Sequence, residues 1–249
     1  MLWIFVRPRT ATLSAMPRVL VGELMDRPDA DPKQLAHALA YIRFVNRRLG
    51  GTEGLVRHLR DWLPALSSKK TITMLDIGTG SADIPLAAGA WAKAKGLTLR
   101  TTGLDFHETT LNLARAHVGT NPDITFLRAD ALQLGAIFPP RSFDIVHMGM
   151  FLHHLTDHDC LKVLRQAHCL ARFGLVWNDL IRSRASKAFL QLLLVGQPLM
   201  VRHDASVSID AGFTPPESLL LARAAGWPAP RFRRGPLHYR FTVSSRIEP

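Results

Sequence analysis

The chain has 249 residues, of which 47% are hydrophobic and 20% are charged, and its formal net charge is +11. This composition is typical of a folded globular protein and excludes a disordered chain, and the length suits one domain or one domain with an appendage. The most apolar stretch, residues 188–201, contains Gln191, Gly196, Gln197 and Pro198. It is therefore too short and too interrupted to span a membrane.

The cysteine content and the N-terminus bear on the cellular compartment. Two cysteines, Cys160 and Cys169, cannot form a disulfide framework. Residues 1–15 combine a short apolar run with Arg7 and Arg9 but lack the features of a signal peptide. We expect a reduced, cytoplasmic protein, and whether residues 1–15 belong to its mature form stays open.

The excess of positive charge favours acidic partners, namely nucleic acid, an anionic membrane surface or an anionic ligand. The basic residues are spread along the chain and are densest near the C-terminus. A basic, solvated surface without a dedicated partner is the alternative interpretation. Charge alone therefore does not select a function.

Two helices are predicted before the first strand. Asp31 and Pro32 form a helix start, and apolar residues then recur on one face until Gly50 and Gly51. A second helix is expected over residues 52–63 and should end before Pro64. Because neither helix belongs to a strand–helix–strand unit, we interpret the pair as a cap over the edge of a sheet.

From residue 71 onward, β-rich runs alternate with helical patterns, which is typical of a parallel sheet with crossover helices. Strands are predicted at residues 71–77, 98–106, 124–129, 143–148, 175–180, 230–234 and 238–244. Helices are predicted at residues 81–96, 107–118, 156–173, 186–201 and 214–225. The last of these helices starts with a capping box formed by Thr214 and Glu217.

The most informative stretch is Leu-Asp-Ile-Gly-Thr-Gly-Ser-Ala-Asp at residues 75–83. Gly78 and Gly80 follow a strand and precede a helix, so a ligand can approach the backbone and meet the amide end of the helix. A dinucleotide-binding loop has a third small residue where this chain has Asp83. Acids here, together with Asp76, would repel a pyrophosphate but suit S-adenosylmethionine, which has a sulfonium, an α-amino group and no phosphate.

Two further acids follow the next two strands. Asp105, next to Phe106, can accept hydrogen bonds from both hydroxyls of a ribose. Asp130, next to Ala131, can meet the amino group of an adenine. Because the carboxyl ends of parallel strands meet at one edge of the sheet, Asp76, Asp105 and Asp130 define one crevice.

These motifs resemble the class I S-adenosylmethionine-dependent methyltransferases over residues 71–180. The resemblance implies a Rossmann-like, seven-stranded, mostly parallel sheet with an antiparallel last strand, and an N-terminal helical cap. It also implies that the cofactor-binding residues are Asp76, Gly78, Thr79, Gly80, Asp105, Phe106, Asp130, Ala131 and Met148. Ala82 departs from the pattern, because many members have a third glycine at this position.

The resemblance also divides the chain. Residues 1–66 form an N-terminal segment with the helical cap, and residues 67–249 form the methyltransferase domain. An apolar helical insertion is expected at about residues 184–213. Arg182, Arg184, Lys187 and Arg202 flank it, so they can hold an anionic group of an acceptor or contact an anionic membrane surface.

Methyl transfer is an in-line displacement, so the enzyme must position a nucleophile near the methyl group and exclude water. A phenol or enol acceptor also needs a base. His153 and His154, after the fourth strand, and Asp179, at the end of the fifth, are the candidate catalytic residues, with His203 a weaker one. Each can instead have a structural role in loop packing or helix capping.

The same region contains four residues of types that can bind a metal. His153, His154, His158 and Cys160 follow no standard zinc-ligand spacing, and no metal is predicted.

The identity of the acceptor has three interpretations. A narrower resemblance to methyltransferases of polyketide, phenolic and quinone-type compounds rests on residues 178–183, 188–204 and 213–215, and it favours O-methylation of a small aromatic or polyketide-like acceptor. The net charge favours nucleic acid as the alternative acceptor. However, residues 149–152 lack the Asn/Asp-Pro-Pro-aromatic motif of methyltransferases that act on amino groups of bases, and the loops after the fourth and fifth strands lack the nucleophilic cysteine of cytosine C5 methyltransferases. No separate RNA-binding module is visible in the sequence. A non-catalytic S-adenosylmethionine-binding protein is the third interpretation.

Overall fold

The computed structural model describes residues 16–247. Residues 1–15 lie outside the described residues, so whether they belong to the mature protein stays open. The helices are α1 (Pro32–Arg48), α2 (Gly51–Leu66), α3 (Asp83–Ala94), α4 (Glu108–Val118), α5 (Leu134–Ile137), α6 (Asp157–Leu170), α7 (Arg184–Leu193), α8 (Leu199–Ala211) and α9 (Pro215–Ala224). The strands are β1 (Thr71–Ile77), β2 (Thr98–Asp105), β3 (Ile124–Arg128), β4 (Phe143–Gly149), β5 (Ala171–Leu180), β6 (Arg231–Arg234) and β7 (Arg240–Arg246).

The strands form one seven-stranded sheet in the order β3-β2-β1-β4-β5-β7-β6. The first five strands are parallel, and β7 runs antiparallel to both of its neighbours, β5 and β6. The predicted Rossmann-like fold with an antiparallel last strand is confirmed. Strand order reverses between β1 and β4, and in such sheets ligands bind beyond the carboxyl ends of the strands at this point.

Apolar side chains pack on both faces of the sheet. One cluster joins α2 and α3 to the sheet, with Leu55, Leu59, Met74 and Ile145 at its centre. The other joins α6 and α9 to the opposite face and contains Trp177, which is fully buried. Cover on both faces explains why nearly all residues of β4 and most of β5 are buried, without the alternation of a sheet that has one face in water.

Two helix starts follow their predicted capping signals. The Asp31 carboxylate accepts hydrogen bonds from the backbone N–H groups of Lys33 and Gln34 at the start of α1. Thr214 and Glu217 form the reciprocal capping box at the start of α9. These local interactions involve residues no more than three apart, so sequence alone is sufficient to predict them.

Two predicted helix ends were wrong. The helix predicted over residues 156–173 ends at Leu170, because Ala171 is extended and pairs with Phe143 of β4, so that β5 begins there. Helix α2 continues through Pro64 to Leu66. A proline in the last turn removes a single hydrogen bond, and Leu66 is buried in the core, which holds that turn in place.

The insertion after β5 also differs from the prediction of one helix over residues 186–201. Helix α7 ends at Leu193, Gly196 adopts a left-handed conformation with φ of 78°, and α8 starts after Pro198. The two helices pack against each other through Leu190, Leu194, Met200 and Val201. None of the helices among residues 16–247 is long and apolar enough to cross a bilayer.

The segment before α1 crosses the carboxyl edge of the sheet and is attached to α8. The backbone N–H of Val19 donates to the carbonyl of Asp210, and those of Leu24 and Met25 donate to the Asp204 carboxylate at 2.7 and 3.0 Å. This attachment places Glu23, which is buried, above the ends of the strands.

His58 of α2 predicts a pH dependence of stability. It is buried, its Nε2 lies 2.8 Å from the Thr242 hydroxyl, and burial lowers its pKa from 6.5 to about 4. Between these two pH values the unfolded chain binds a proton that the folded chain does not, so stability falls as the pH decreases. We expect His58 to account for a loss of up to about 3 kcal/mol by pH 4.

Urea unfolding of the wild type and of His58→Gln between pH 7 and pH 4.5 measures this effect. Glutamine retains a hydrogen-bonding group for Thr242 but does not titrate. The free energy of unfolding of the wild type should fall relative to that of the variant as the pH decreases. A difference that stays constant over this range contradicts the prediction.

Candidate functional site

A cavity of about 470 Å³ opens at the carboxyl ends of β1, β2 and β4. Its walls come from the loops after these strands, from α1 and α8, and from the segment before α1. This volume and this place in the sheet are those of a small-molecule site in an open α/β fold. The walls combine apolar side chains, among them Leu39, Ile42 and Val201, with acids and histidines.

The glycine loop forms one wall. Gly78 and Gly80 have positive φ values of 69° and 53°, and the backbone N–H groups of Gly78 and Thr79 both donate to the carbonyl of Leu104. A Cβ atom at position 78 would lie 2.8 Å from the Phe151 side chain. Ala82, where the pattern departs from a third glycine, is fully buried and has a φ of 56°. That conformation delays the start of α3 to Asp83.

Asp76 is buried beneath this loop and is engaged by the protein itself. One oxygen accepts a hydrogen bond from the Thr79 hydroxyl at 2.6 Å, and the other lies 2.5 Å from Nδ1 of His147. The opposite nitrogen of His147, Nε2, is buried and has no partner among the described residues. A buried polar atom without a partner on a cavity wall indicates a place where a ligand or water binds.

Asp105 lies at the end of β2, as predicted. Its two oxygens accept hydrogen bonds from the backbone N–H groups of Gly80 and His107, both at 3.1 Å. Burial raises the pKa of Asp105, and these two hydrogen bonds oppose the shift. Since a carboxylate oxygen can accept a second hydrogen bond, both oxygens can still receive hydroxyl groups from a ligand. Phe106 is exposed beside it at the cavity edge.

Asp130 and Ala131 also line the cavity, at the end of β3. The Asp130 carboxylate accepts a hydrogen bond from the backbone N–H of Leu132 at 2.8 Å and caps the short helix that follows. The capping role and a role towards a ligand are compatible, because the capping bond uses one of two oxygens. The three predicted acids therefore meet at one cavity.

The position of Met148 contradicts the prediction that it contacts a cofactor. Its side chain is fully buried in the core cluster that contains Trp177. Gly149, the last residue of β4, and Met150, in the loop after it, line the cavity instead, because the cavity lies beyond the end of the strand.

His153 and His154 lie on the opposite wall, next to Glu23 and Asp26 of the segment before α1. Nδ1 of His153 lies 2.6 Å from Asp179, and its Nε2 lies 3.4 Å from Glu23. Nδ1 of His154 lies 2.8 Å from Asp26, and its Nε2 lies 3.9 Å from the same Glu23 oxygen. The centroids of the two rings are 4.3 Å apart, and their planes are tilted by 30°. We call Glu23, His153 and His154 the histidine cluster.

Charges around this cluster shift its pKa values. Burial alone would lower the pKa of His153, but the Asp179 and Glu23 carboxylates raise it to about 10. Burial would raise the pKa of Glu23, and the two histidines lower it to about 2. The pKa of His154 is also raised, by Glu23 and Asp26 against the effect of burial. A base role for His153 therefore requires that it first lose a proton that two carboxylates hold.

Asp179 does not line the cavity but lies behind His153, fully buried. Besides the His153 ring, it accepts hydrogen bonds from the Trp177 indole N–H at 3.0 Å and the Leu180 backbone N–H at 2.9 Å. Because Asp179 is buried and engaged by these three groups, it can orient His153 but cannot contact an acceptor in the cavity, in contrast to its predicted catalytic role. His203, the weaker candidate, pairs with Asp204 on α8.

Several site residues were missed in the sequence. Glu23 and Asp26 lie in a segment without periodicity or motif, and His147 and Asn46 lie within a buried strand and the first helix. Asn46 donates to Asp83 at 3.0 Å, which brings α1 to the glycine loop. Nothing in the local sequence distinguishes these residues, because their partners are remote along the chain.

Cys160 and two of the four basic residues near the insertion are not available to bind a ligand. Cys160 is fully buried and does not line the cavity, and its thiol donates to the Leu152 carbonyl. Burial also raises its pKa to about 12, which disfavours the thiolate that a nucleophile requires. Arg182 is buried and pairs with Glu217, and Lys187 pairs with Asp210. Of the four cations predicted to hold an anionic group, only Arg184 and Arg202 are exposed.

Comparison with known proteins supports this interpretation of the fold and the cavity. Residues 74–174 match the family described as a methyltransferase domain. Demethylmenaquinone methyltransferase of Staphylococcus epidermidis is 29% identical over 112 residues, which cover 45% of this chain and 44% of that protein. The same enzyme of Staphylococcus aureus is 31% identical over 85 residues, which cover 32% of this chain and 34% of that protein. The chain thus matches less than half the length of these relatives.

Solved structures share the fold at low sequence identity. Human N-acetylserotonin methyltransferase in complex with S-adenosylmethionine has a TM-score of 0.61 and 14% identity, covering 88% of this chain and 57% of that chain. An S-adenosylmethionine-dependent methyltransferase from Aquifex aeolicus has a TM-score of 0.59 and 17% identity, and the match covers 88% of this chain and 99% of that chain. The stretch that matches the methyltransferase family, residues 74–174, includes the glycine loop, Asp105, Asp130, His153 and His154. The solved structures show that the fold extends over most of the chain.

Proposed function

We propose that this chain is an S-adenosylmethionine-dependent methyltransferase that transfers a methyl group to the oxygen of a small aromatic or polyketide-like acceptor. The observation that carries the proposal is the meeting of the glycine loop, Asp105 and Asp130 at one cavity, whose opposite wall contains the histidine cluster. One half of the cavity thus suits a nucleoside, and the other half suits an acceptor with a polar oxygen.

The residues present fit S-adenosylmethionine. The loop at Gly78 and Gly80 leaves its backbone open to the cavity, and Asp105 offers two oxygens to the ribose hydroxyls. Asp130 would accept a hydrogen bond from the adenine amino group. The Nε2 atom of His147, which has no partner among the described residues, would be a polar contact for the amino-acid end of the cofactor, beside Asp76. The cofactor supplies an electrophilic methyl group on its sulfonium. Because it contains no phosphate, the acids of the cavity do not repel it.

The acceptor side is lined mainly by apolar side chains. Leu190 and Val201 of the insertion, Leu39 and Ile42 of α1, and Met150 line it. Such a lining excludes water from the methyl group and holds a flat or long apolar molecule by area burial. The Nε2 atoms of His153 and His154 lie where an acceptor hydroxyl would enter, and Asp179 and Asp26 hold the two rings in position. The pair would hold the acceptor oxygen in line with the methyl group and stabilise its negative charge.

Titration calorimetry of the purified chain with S-adenosylmethionine, with NADH as the control ligand, tests the cofactor. We expect binding of S-adenosylmethionine alone. Asp105→Ala should weaken that binding at least about tenfold, equivalent to about 1.4 kcal/mol, because both ribose hydroxyls lose their acceptor. Asp105→Asn should lose less affinity for S-adenosylmethionine, since one of the two side-chain oxygens remains as an acceptor.

Asp61→Ala, an exposed acid of α2 that lies outside the cavity, is the matched control and should bind as the wild type does. Unchanged affinity in Asp105→Ala would remove the ribose assignment, and binding of neither ligand would overturn the proposal. A screen for transfer of a labelled methyl group to phenols, quinols and RNA then distinguishes the small acceptor from nucleic acid. Binding of S-adenosylmethionine without transfer to any of them favours the non-catalytic alternative.

A further inference from the structure

The histidine cluster has the atoms and the separations of a metal site. One oxygen of Glu23 and one nitrogen each of His153 and His154 all lie within 4.8 Å of one another. The Nε2 atoms lie 3.4 and 3.9 Å from the Glu23 oxygen. Two ligands bound at about 2.0–2.1 Å to a tetrahedral ion are about 3.3 Å apart, so the observed distances require only small shifts.

The second observation is the arrangement behind the two rings. Nδ1 of His153 faces Asp179 at 2.6 Å, and Nδ1 of His154 faces Asp26 at 2.8 Å. Metal-bound histidines usually donate the N–H of the nitrogen that does not bind the metal to a carboxylate, which fixes the ring and the tautomer. Here both histidines have such a partner, and each partner comes from a different part of the chain. Both Nε2 atoms are thereby left directed at the same Glu23 oxygen.

Glu23 is itself held in place. It is buried, and the Ser208 hydroxyl of α8 donates a hydrogen bond to the oxygen that faces the histidines. The backbone of Leu24 is anchored to Asp204 at 2.7 Å. A third ligand from a preorganised segment distinguishes this group from a chance pair of neighbouring histidines.

We propose that Glu23, His153 and His154 bind one divalent transition-metal ion of the zinc type, and that any proton on the two Nε2 atoms is released to solvent as the ion binds. Two imidazoles and one carboxylate suit zinc or cobalt, whereas magnesium and calcium prefer sites made of oxygen ligands alone. Three protein ligands leave a fourth position, and all three residues line the cavity. An ion there would bind the acceptor oxygen and lower the pKa of its hydroxyl. This last step rests on the proposed function, whereas the binding of the ion does not.

Metal titration of the full chain tests the proposal without S-adenosylmethionine or acceptor. After treatment with a chelator, the protein is titrated calorimetrically with Zn²⁺ and, separately, with Mg²⁺. We expect one equivalent of Zn²⁺ with a Kd below about 10 μM and no binding of Mg²⁺. Failure here leaves the calorimetry with S-adenosylmethionine unaffected, so the two proposals can fail separately.

Four variants locate the ion. Glu23→Gln and His154→Gln should each weaken Zn²⁺ binding at least about tenfold, since each removes one of three ligands. Asp26→Asn, at a partly exposed position where folding is not at risk, should weaken it about tenfold through the His154 ring. His158→Gln is the matched control, because His158 is exposed and close in sequence but outside the cavity.

The absorption spectrum of the Co²⁺ form provides a second measurement. Nitrogen and oxygen ligands in a tetrahedral site give visible d–d bands, whereas binding at the exposed Cys169 adds a thiolate charge-transfer band in the near ultraviolet. Absence of Zn²⁺ binding, a thiolate band in the Co²⁺ spectrum, or binding that Asp26→Asn and His154→Gln leave unchanged would each overturn the proposal.

Discussion

Replacing both His153 and His154 by glutamine is expected to lower turnover of a phenolic acceptor by at least about a hundredfold. In the proposed function their Nε2 atoms meet the acceptor oxygen, since both residues line the wall opposite the glycine loop. Glutamine fills much of the same space but provides neither an imidazole to stabilise the oxyanion nor a nitrogen ligand for an ion. Affinity for S-adenosylmethionine should stay within about twofold, because Asp105 and Asp130 lie on the other side of the cavity.

Steady-state kinetics with a labelled methyl donor, together with calorimetry, separates these two effects. His158→Gln is again the matched control and should retain full turnover. A double variant with wild-type turnover would show that the acceptor reacts without help from this wall. A parallel loss of cofactor affinity would instead show that the substitutions disturb the whole cavity.

Trp177→Ala is expected to lower the free energy of unfolding by about 3–5 kcal/mol. Trp177 is fully buried on β5, and its ring packs edge-on against Phe213 and Phe241 at centroid distances of 4.8 and 5.2 Å. Truncation leaves a cavity in this aromatic cluster. It also removes the indole N–H that donates to Asp179 and so leaves a buried carboxylate oxygen short of a donor.

Urea unfolding of the variants Trp177→Ala, Trp177→Phe and Trp91→Ala measures the two contributions. Trp177→Phe retains most of the packing, so its loss of about 1–3 kcal/mol reports mainly the missing hydrogen bond to Asp179. Trp91 of α3 is only partly buried, and its truncation should cost less than that of Trp177. A loss below about 1.5 kcal/mol for Trp177→Ala contradicts the assignment of this side chain to the centre of the core.

The half of the site that would bind the cofactor could be predicted because its signals are local. A strand followed by Gly78 and Gly80 places the backbone turn, and the acids Asp105 and Asp130 follow strands whose parallel packing brings their ends together. Met148 does not line the cavity, because it lies one residue before the end of β4 with its side chain in the core, whereas Gly149 and Met150 lie at and beyond that end. Membrane contact, cytoplasmic location and the division at residue 66 stay predictions.

By itself the sequence determined the order of the seven strands along the chain, the helix caps at Asp31 and Thr214, and the edge of the sheet that carries the glycine loop, Asp105 and Asp130. These depend on periodicity and on interactions between residues a few positions apart. Only the tertiary structure decided what faces the two histidines. Glu23 is about 130 residues from His153 in the chain, and no pattern links them, so their contact arises from the anchoring of one irregular segment on α8.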